Sequence, residues 1–463
     1  MKGKLCGTCL ITLLLLFSLT PFYGITAGED WPQFAKDAQH TGFASSRAPD
    51  DSEVLWKFNE TESGVSSAAI GNGKVYFGSE DGKLYVLDLS SGELLWTFEA
   101  NRPIESTPLV DADALYFGTN EGKLFAVNTD SGLEIWNFTT GGDIIASPTL
   151  WKEKVFIGSY DYSFYAVDAA TGEEAWKNDT GYYVFGSAAA IDDVVLIGGC
   201  NDILRCFDVA TGDVIWDFDS QAIIAASASI SAGKVYFGNL DQKMYCVNLS
   251  SGNEVWNVSL EADTASTAAV GYGMIFFGCK DGKVRALDAE TGEEEWVFET
   301  NGPVDASPSV AEGKVFIGSD DGIFYALNAS DGKLLWSFVI GGAIKSSAAI
   351  SDGIVVVGSS SGEVYAFISQ DQPDTDGDGV PDLEDDDDDG DGASDTEEVL
   401  MGTDPLLADT DGDGYDDSED YYPLEPAKWE KPEEEDNVDV LVISVLLVLI
   451  IIIVVILITS KRL

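Results

Sequence analysis

The chain has 463 residues, 45% of them hydrophobic, and a formal net charge of −56 from 81 acidic residues against 25 Lys plus Arg. Its length and apolar content suffice for more than one domain with a sizeable core. The charge argues against nucleic acid, whose phosphates demand a basic face, and favours cations as partners or a solvated acidic surface.

Residues 1–27 carry Lys2 and Lys4, then an apolar run, then small residues near Ala27. This pattern predicts a secretory signal peptide removed near Ala27, with an uncleaved anchor as the alternative. A lead-in segment follows over 28–52. Its stretch WPQFAKDAQHTGFA, Trp31 to Ala44, holds His40, the only histidine. With no second His and no Ser or Cys partner in view, His40 reads as a packing or capping residue. Ser45 to Glu53 reads as a polar linker.

From residue 53 to 369 the chain repeats. Tryptophan stands at Trp56, Trp96, Trp136, Trp176, Trp216, Trp256, Trp296 and Trp336, each forty residues after the last. Such a period marks an array of supersecondary units. KVYFGSEDGKLYVLDLSSGELLW, ending at Trp96, is the clearest copy. Turn signals divide it into four short strands, Val65–Ile70, Lys74–Phe77, Lys83–Leu87 and Glu93–Phe98. Glycine recurs at the Gly78 place in all eight units, which points to a backbone position that a side chain would spoil. The first strands (SSAAI, STPLV, ASPTL and their sisters) are built of small residues, as strands crowded about an axis must be. The tryptophans belong at the roomy rim. Radially arranged four-stranded sheets make a β-propeller. The last unit, Ile354 to Phe367, lacks a tryptophan strand, and Val54–Phe58 lacks the three strands before it. Their union closes a ring of eight blades, where an open solenoid would leave no complementary ends.

Every unit has a hydroxyl at the Ser67 place (Thr107, Ser147, Ser187, Ser227, Thr267, Ser307 and Ser347), expected as a structural hydrogen-bond layer. Just before it the residues vary: Glu105, Asp143, Tyr183, Phe185, Asp263, Asp305 and Lys345. Variability on an invariant frame makes these a candidate ligand-facing funnel. Beyond Cys6 and Cys9 in the signal, Cys200, Cys206, Cys246 and Cys279 remain. They are read as small apolar strand residues, or as disulfide partners with three pairings open. Glycosylation sequons begin at Asn59, Asn137, Asn178, Asn248, Asn257 and Asn328, four of them just after a repeat tryptophan and so on an outer strand.

The pattern of LDLSSGELLW and VDAATGEEAW resembles the tryptophan-docking motif of the quinoprotein dehydrogenase-like (pyrroloquinoline quinone repeat) eight-bladed propellers. The lead-in is similar to that preceding such propellers in secreted microbial proteins. The resemblance covers about two-thirds of the chain. It implies either a dehydrogenase using pyrroloquinoline quinone or a scaffold such as the outer-membrane assembly lipoprotein. The dehydrogenases carry a vicinal Cys-Cys pair against the cofactor and long insertions between blades. This chain has neither, so the quinone is not expected and the enzyme is the secondary reading.

Residues 371–422 are rich in aspartate. Three registers fit the calcium loop, with oxygen ligands at positions 1, 3, 5, 7, 9 and 12 and glycine at 6. The first is Asp374, Asp376, Asp378, Val380 by its carbonyl, Asp382 and Asp385. The second is Asp387, Asp389, Asp391, Ala393 by its carbonyl, Asp395 and Glu398. The third is Asp409, Asp411, Asp413, Tyr415 by its carbonyl, Asp417 and Asp420. They resemble thrombospondin type 3 repeats, with a short helix expected over Asp395 to Met401. The alternative is a disordered acidic spacer. A Pro/Glu spacer occupies 423–439. Val440 to Ile458 is apolar except for Ser444 and would span about 28 Å, the thickness of a bilayer core. Lys461 and Arg462, in the tail 459–463, place the C-terminus in the cytoplasm and the rest outside.

The expected fold is therefore all-β: an eight-bladed β-propeller closed by an N-terminal strand, plus a small Asp-rich calcium-loop stalk and one C-terminal transmembrane helix. The expected function is that of a cell-surface scaffold binding a protein or envelope partner. The alternatives are a quinone-dependent oxidoreductase and a structural envelope component.

Overall fold

The structure, a computed structural model, describes residues 30–59, 61, 63–199, 201–369, 375–376, 385, 387–411, 414–418, 420 and 422–424. The chain divides into two compact units, Met1–Gln372 and Pro373–Leu463.

The first unit is the ring. Blade 1 is the antiparallel sheet Ala69–Gly71, Lys74–Gly78, Lys83–Asp88 and Leu94–Glu99, in sequential order. Blades 2 to 7 repeat it, and blade 8 is Ala349–Ser351, Ile354–Gly358 and Val364–Ile368 completed by Glu53–Phe58. The predicted closing strand thus pairs antiparallel with the last strand of the chain's final unit. Middle strands are buried throughout, as in Val75, Tyr76 and Phe77. Each packs on a neighbouring blade from both faces: Tyr76, Leu84 and Val86 of blade 1 share a core with Leu115, Phe117 and Phe125 of blade 2.

The tryptophans lock blade to blade. Trp56 Nε1 donates to Leu89 O at 2.7 Å, and Trp136, Trp176, Trp216, Trp256 and Trp296 repeat that bond thirty-three residues ahead. Each of these rings covers the glycine of the next blade's last turn. A Cβ on Gly212 would lie 2.6 Å from Trp176 Cδ2, and Gly212 has φ +74°. Gly233 shares that φ but has nothing within 4 Å. Gly233→Ala should therefore cost only the left-handed strain, about 1–2 kcal/mol. Gly212→Ala should add about 1–3 kcal/mol of overpacking. Urea unfolding of the two variants checks this, and equal midpoints would refute the docking argument.

The inner strands are shorter than the sequence pattern suggests: Ala69–Gly71 rather than Val65–Ile70. The preceding residues bond around the ring instead of across a ladder. Thr107 N donates to Ser147 Oγ, Ser147 N to Ser187 Oγ, Ser187 N to Ser227 Oγ, and the series continues through Thr267 to Ser307. Ser347 N donates to Ser67 Oγ at 2.8 Å across the closure. The hydroxyl layer is structural, and it draws these residues out of the sheet. The recurring glycine is explained by the same crossover, since a Cβ on Gly118 would lie 2.8 Å from Ile144 O.

The lead-in is neither loose nor peripheral. The amides of Ile70, Val110, Ala190, Ile230, Val270 and Val310 occupy equivalent places on six inner strands. They donate to the carbonyls of Trp31, Pro32, Ala38, Gln39, Thr41 and Gly42 at 2.6–2.8 Å. An inner strand is a sheet edge with unpaired groups, and this one segment pairs six of them in turn. His40 is buried, with Nδ1 3.0 Å from Ala228 O, as a packing residue should be. Ser45 to Glu53, expected as a polar linker, is instead docked on the ring: Ser46 and Ala48 are buried, and Ala48 N donates to Glu312 Oε2 at 3.0 Å. Phe43–Ala44 pairs in parallel with the inner strand of blade 7. Lys314 Nζ bonds Ala48 O at 2.9 Å, and Trp336 Nε1 departs from the thirty-three-residue pattern by bonding Pro49 O.

Cys206, Cys246 and Cys279 are free and buried, which removes a disulfide among them; Cys200 lies outside the described residues. Cys206 and Cys246 sit opposite Trp216 and Trp256 in the sheets. The described residues contain no helix long and apolar enough to cross a membrane. The predicted signal over 1–27, the Pro/Glu spacer and the span over 440–458 lie outside them, save for the spacer's first residues.

Candidate functional site

The second unit carries the candidate metal centre. Two of the predicted loops fold alike. Gly392 N donates to Asp387 Oδ2 at 3.1 Å, and Gly414 N to Asp409 Oδ2 at 2.7 Å. These are bonds from the sixth loop residue to the first, and Gly392 and Gly414 adopt φ of +96° and +97°. The second residue's amide also binds the ninth residue's carboxylate in both: Asp388 N to Asp395 Oδ1 at 3.0 Å, and Thr410 N to Asp417 Oδ1 at 3.1 Å. Position 9 is thus partly committed to shaping its own loop. The expected helix is present as Asp395–Met401, with Ser394 and Glu397 forming a capping box and Gly402 a left-handed C-cap.

Asp387, Asp389 and Asp391 converge, with one oxygen from each within 4.8 Å of the others. Glu398, the twelfth residue, is fully buried, and its Oε2 has no hydrogen-bond partner. Asp387 Oδ1 and Asp389 Oδ2 are likewise buried and unpartnered. Buried carboxylate oxygens without partners are costly unless a cation meets them. Burial, reinforced by Asp391, Asp387 and Asp417, pushes Asp389 up to about 6. Burial, reinforced by Asp389, Asp391, Asp417 and Asp395, pushes Glu398 up to about 8. An all-oxygen cluster that resists its own ionisation fits a hard cation.

Asp417 joins this cluster from the third loop, a convergence that reading each loop separately misses. Ser418 N donates to Asp391 Oδ2 at 2.8 Å, and Ser418 Oγ to Asp391 O at 2.6 Å. The 22-residue offset between Asp387 and Asp409 was the available signal for stacked loops. Asp420 Oδ1 instead accepts from Tyr422 N. Ala393 is buried and Tyr415 is exposed, and Asp411 is not among the three aspartates whose oxygens converge. In the first loop, Asp376 lies against Gly390, and Asp385 Oδ1 accepts from Asp387 N. Asp374, Asp378, Val380, Asp382 and Asp413 lie outside the described residues.

In the ring, the variable residues sit on the crossovers that lead into the inner strands, beside the turns between second and third strands. Glu105 accepts from Asn120 at 2.6 Å. Asp263 pairs with Lys280 at 2.7 Å. Lys345 lies between Asp305 at 3.8 Å and Asp320 at 3.7 Å. Tyr183 packs between Tyr160 and Tyr162, with centroids at 4.8 and 5.0 Å. Asp143 and Phe185 are half-buried. The seven do not converge on one point; they are distributed around a single face. Asn137, Asn178 and Asn257 lie on outer strands as expected, Asn59 just past one, and Asn248 and Asn328 cap the last turns of their blades.

The family model described as outer membrane protein assembly factor BamB matches residues 44–119, 110–217, 200–306 and 280–372, which together span well over half of the chain. The chain belongs to this family. The BamB-family propeller is followed by a match to the bacterial TSP3 repeat over residues 387–408, the loop that brings the three aspartates together. Among solved structures, BamB from Moraxella catarrhalis is 17% identical, covering 68% of this chain and 99% of that one with a TM-score of 0.60. The quinohemoprotein alcohol dehydrogenase from Comamonas testosteroni is 15% identical, covering 73% and 80% with a TM-score of 0.64. The computationally designed Ika8 protein is 19% identical, covering 68% and 99% with a TM-score of 0.63. At such identity these likenesses speak to fold alone. No curated protein matches the sequence.

Proposed function

We propose that this BamB-family chain is a non-enzymatic binding scaffold of the cell surface, in which a propeller recognises a protein or envelope partner and a calcium-ordered stalk holds it away from a single membrane span. The observation that carries this reading is the TSP3-type loop, where oxygens of Asp387, Asp389 and Asp391 converge and Asp387, Asp389 and the buried Glu398 each keep an unpartnered buried oxygen. Calcium is the cation whose preference for several oxygen ligands in a flexible loop this set meets. The sequence supports the rest: the signal over 1–27, the span over 440–458 with its basic tail, and the sequons on outer strands.

Support for a binding role over catalysis comes from where the reactive groups lie. His40 is buried against a backbone carbonyl, and burial lowers it to about 4. The thiols of Cys206, Cys246 and Cys279 are buried and pushed up to about 12. None is poised as a base or nucleophile near neutral pH. Native mass spectrometry of the full chain, purified with calcium in detergent, tests the reading. The expected excess is about three calcium ions, one per loop, with no organic mass. A bound mass matching pyrroloquinoline quinone would overturn it in favour of the oxidoreductase.

A further inference from the structure

One sector of the crossover face differs from the rest of the ring. The turn between second and third strands ends in a left-handed residue in every blade. It is glycine at Gly82, Gly122, Gly282, Gly322 and Gly362, but Tyr162, Asp202 and Gln242 in blades 3, 4 and 5, with φ of +72°, +62° and +60°. At three of these glycines a Cβ would collide with the next crossover, 2.9 Å from Arg102 N at Gly82, 2.6 Å from Thr140 Oγ1 at Gly122 and against Thr61 Oγ1 at Gly362. Three adjacent blades therefore keep full side chains in a conformation that disfavours them. Strain of this kind persists where surrounding structure enforces it, and it clusters at binding sites.

The same sector carries the aromatic surface. Tyr162, Tyr182 and Tyr183 are exposed at 44%, 57% and 44%, and Tyr183 bridges Tyr160 and Tyr162. Beside them an open groove of about 610 Å³ is lined by Tyr182, Asp202, Gln221, Ile223, Leu240 and Asp241, among others. That volume lies within the range of small-ligand sites. Among the described residues, the side chains of Asp202, Gln221 and Asp241 have no hydrogen-bond partner. No lining residue is cationic, so an anionic ligand would meet no countercharge.

We infer that this groove binds a neutral oligosaccharide. The C–H face of a pyranose is weakly positive and stacks on the negative face of an aromatic ring. Carboxylates accept from sugar hydroxyls, and the Gln221 amide both donates and accepts. A basic peptide would be attracted by Asp202 and Asp241, but negative charge is spread over the whole chain and does not single out this sector. The tyrosines and the non-glycine turns do. The inference deepens the reading of the propeller as a binding module and is independent of the stalk.

The full chain, in a non-sugar detergent with calcium, is titrated with maltotriose, cellotriose, chitotriose and mannotriose and followed by saturation-transfer NMR. At least one is expected to bind saturably, with affinity reduced at least tenfold by Tyr182→Ala and by Asp202→Gly. Asp202→Gly relieves the strained turn, so loss of folding cannot explain its effect. Tyr272→Ala, which removes an exposed tyrosine from a turn between first and second strands, should leave binding unchanged. No binding of any of the four, binding indifferent to Tyr182→Ala, or salt-sensitive binding of an oligolysine peptide instead would overturn the inference. Specific capture of a defined protein partner without sugar binding would leave the scaffold reading standing while this inference falls.

Discussion

Calcium removal is expected to open the Asp-rich unit of the full chain to proteases while the propeller stays folded. A site at ten times its dissociation constant contributes about 1.4 kcal/mol by mass action, so three sites together decide whether a unit this small holds its shape. The effect should depend on pH in a defined direction. Asp389, at about 6, and Glu398, at about 8, lie above ordinary carboxylate values. Raised carboxyls favour the folded state when protonated. Without calcium, the unit is therefore most stable in acid and weakens as pH rises through 6 and then 8. With calcium the ion replaces those protons, so binding releases protons and tightens as pH rises. Protease half-lives with calcium and with chelator should differ little at pH 5 and most at pH 8.5. Glu398→Gln, which keeps the shape but removes the charge, should reduce calcium affinity and flatten the pH dependence. Equal cleavage with calcium and chelator at pH 8.5 would refute the metal centre.

The parts of this architecture that recur were legible in the sequence. Eight tryptophans at fixed spacing implied eight blades because seven of the rings, Trp56 to Trp296, meet the same glycine in the next blade, as Trp176 meets Gly212. The closing strand followed from counting fragments, and Gly392 and Gly414 set the loop registers. What stayed hidden works once, or works through backbone. The lead-in bonds six inner strands with its carbonyls, and a carbonyl leaves no trace in residue type. The inner strands shorten because hydroxyls bond to the neighbouring blade, a choice between two partners that Ser147 makes only in three dimensions. Asp417 belongs to two neighbourhoods at once, its own loop and the cluster around Glu398. Spacing within one loop cannot reveal that.

Deleting residues 31–49 is expected to destabilise the ring more than any single blade substitution. The loss includes six inner-strand hydrogen bonds at about 1 kcal/mol each, the buried Trp31 and Ala44, and the acceptor of Trp336. That total is comparable with the whole stability of a typical domain. Blades contact mainly their neighbours, so damage of this kind should not stay local: the six strands served by the lead-in lose a shared tie. Amide exchange at Ile70, Val110, Ala190, Ile230, Val270 and Val310 should accelerate together. Acid provides a gentler probe of the same segment. His40 is held neutral by burial, at about 4 against an ordinary 6.5. A histidine with a depressed value binds its proton more readily unfolded, so the ring loses stability as pH falls from 6.5 towards 4. By linkage the loss approaches roughly 3 kcal/mol. His40→Gln should remove that slope from the propeller's unfolding profile while leaving the stalk's calcium response intact. A lead-in deletion that melts within a few degrees of the full chain would show that the ring holds itself closed by its tryptophans alone.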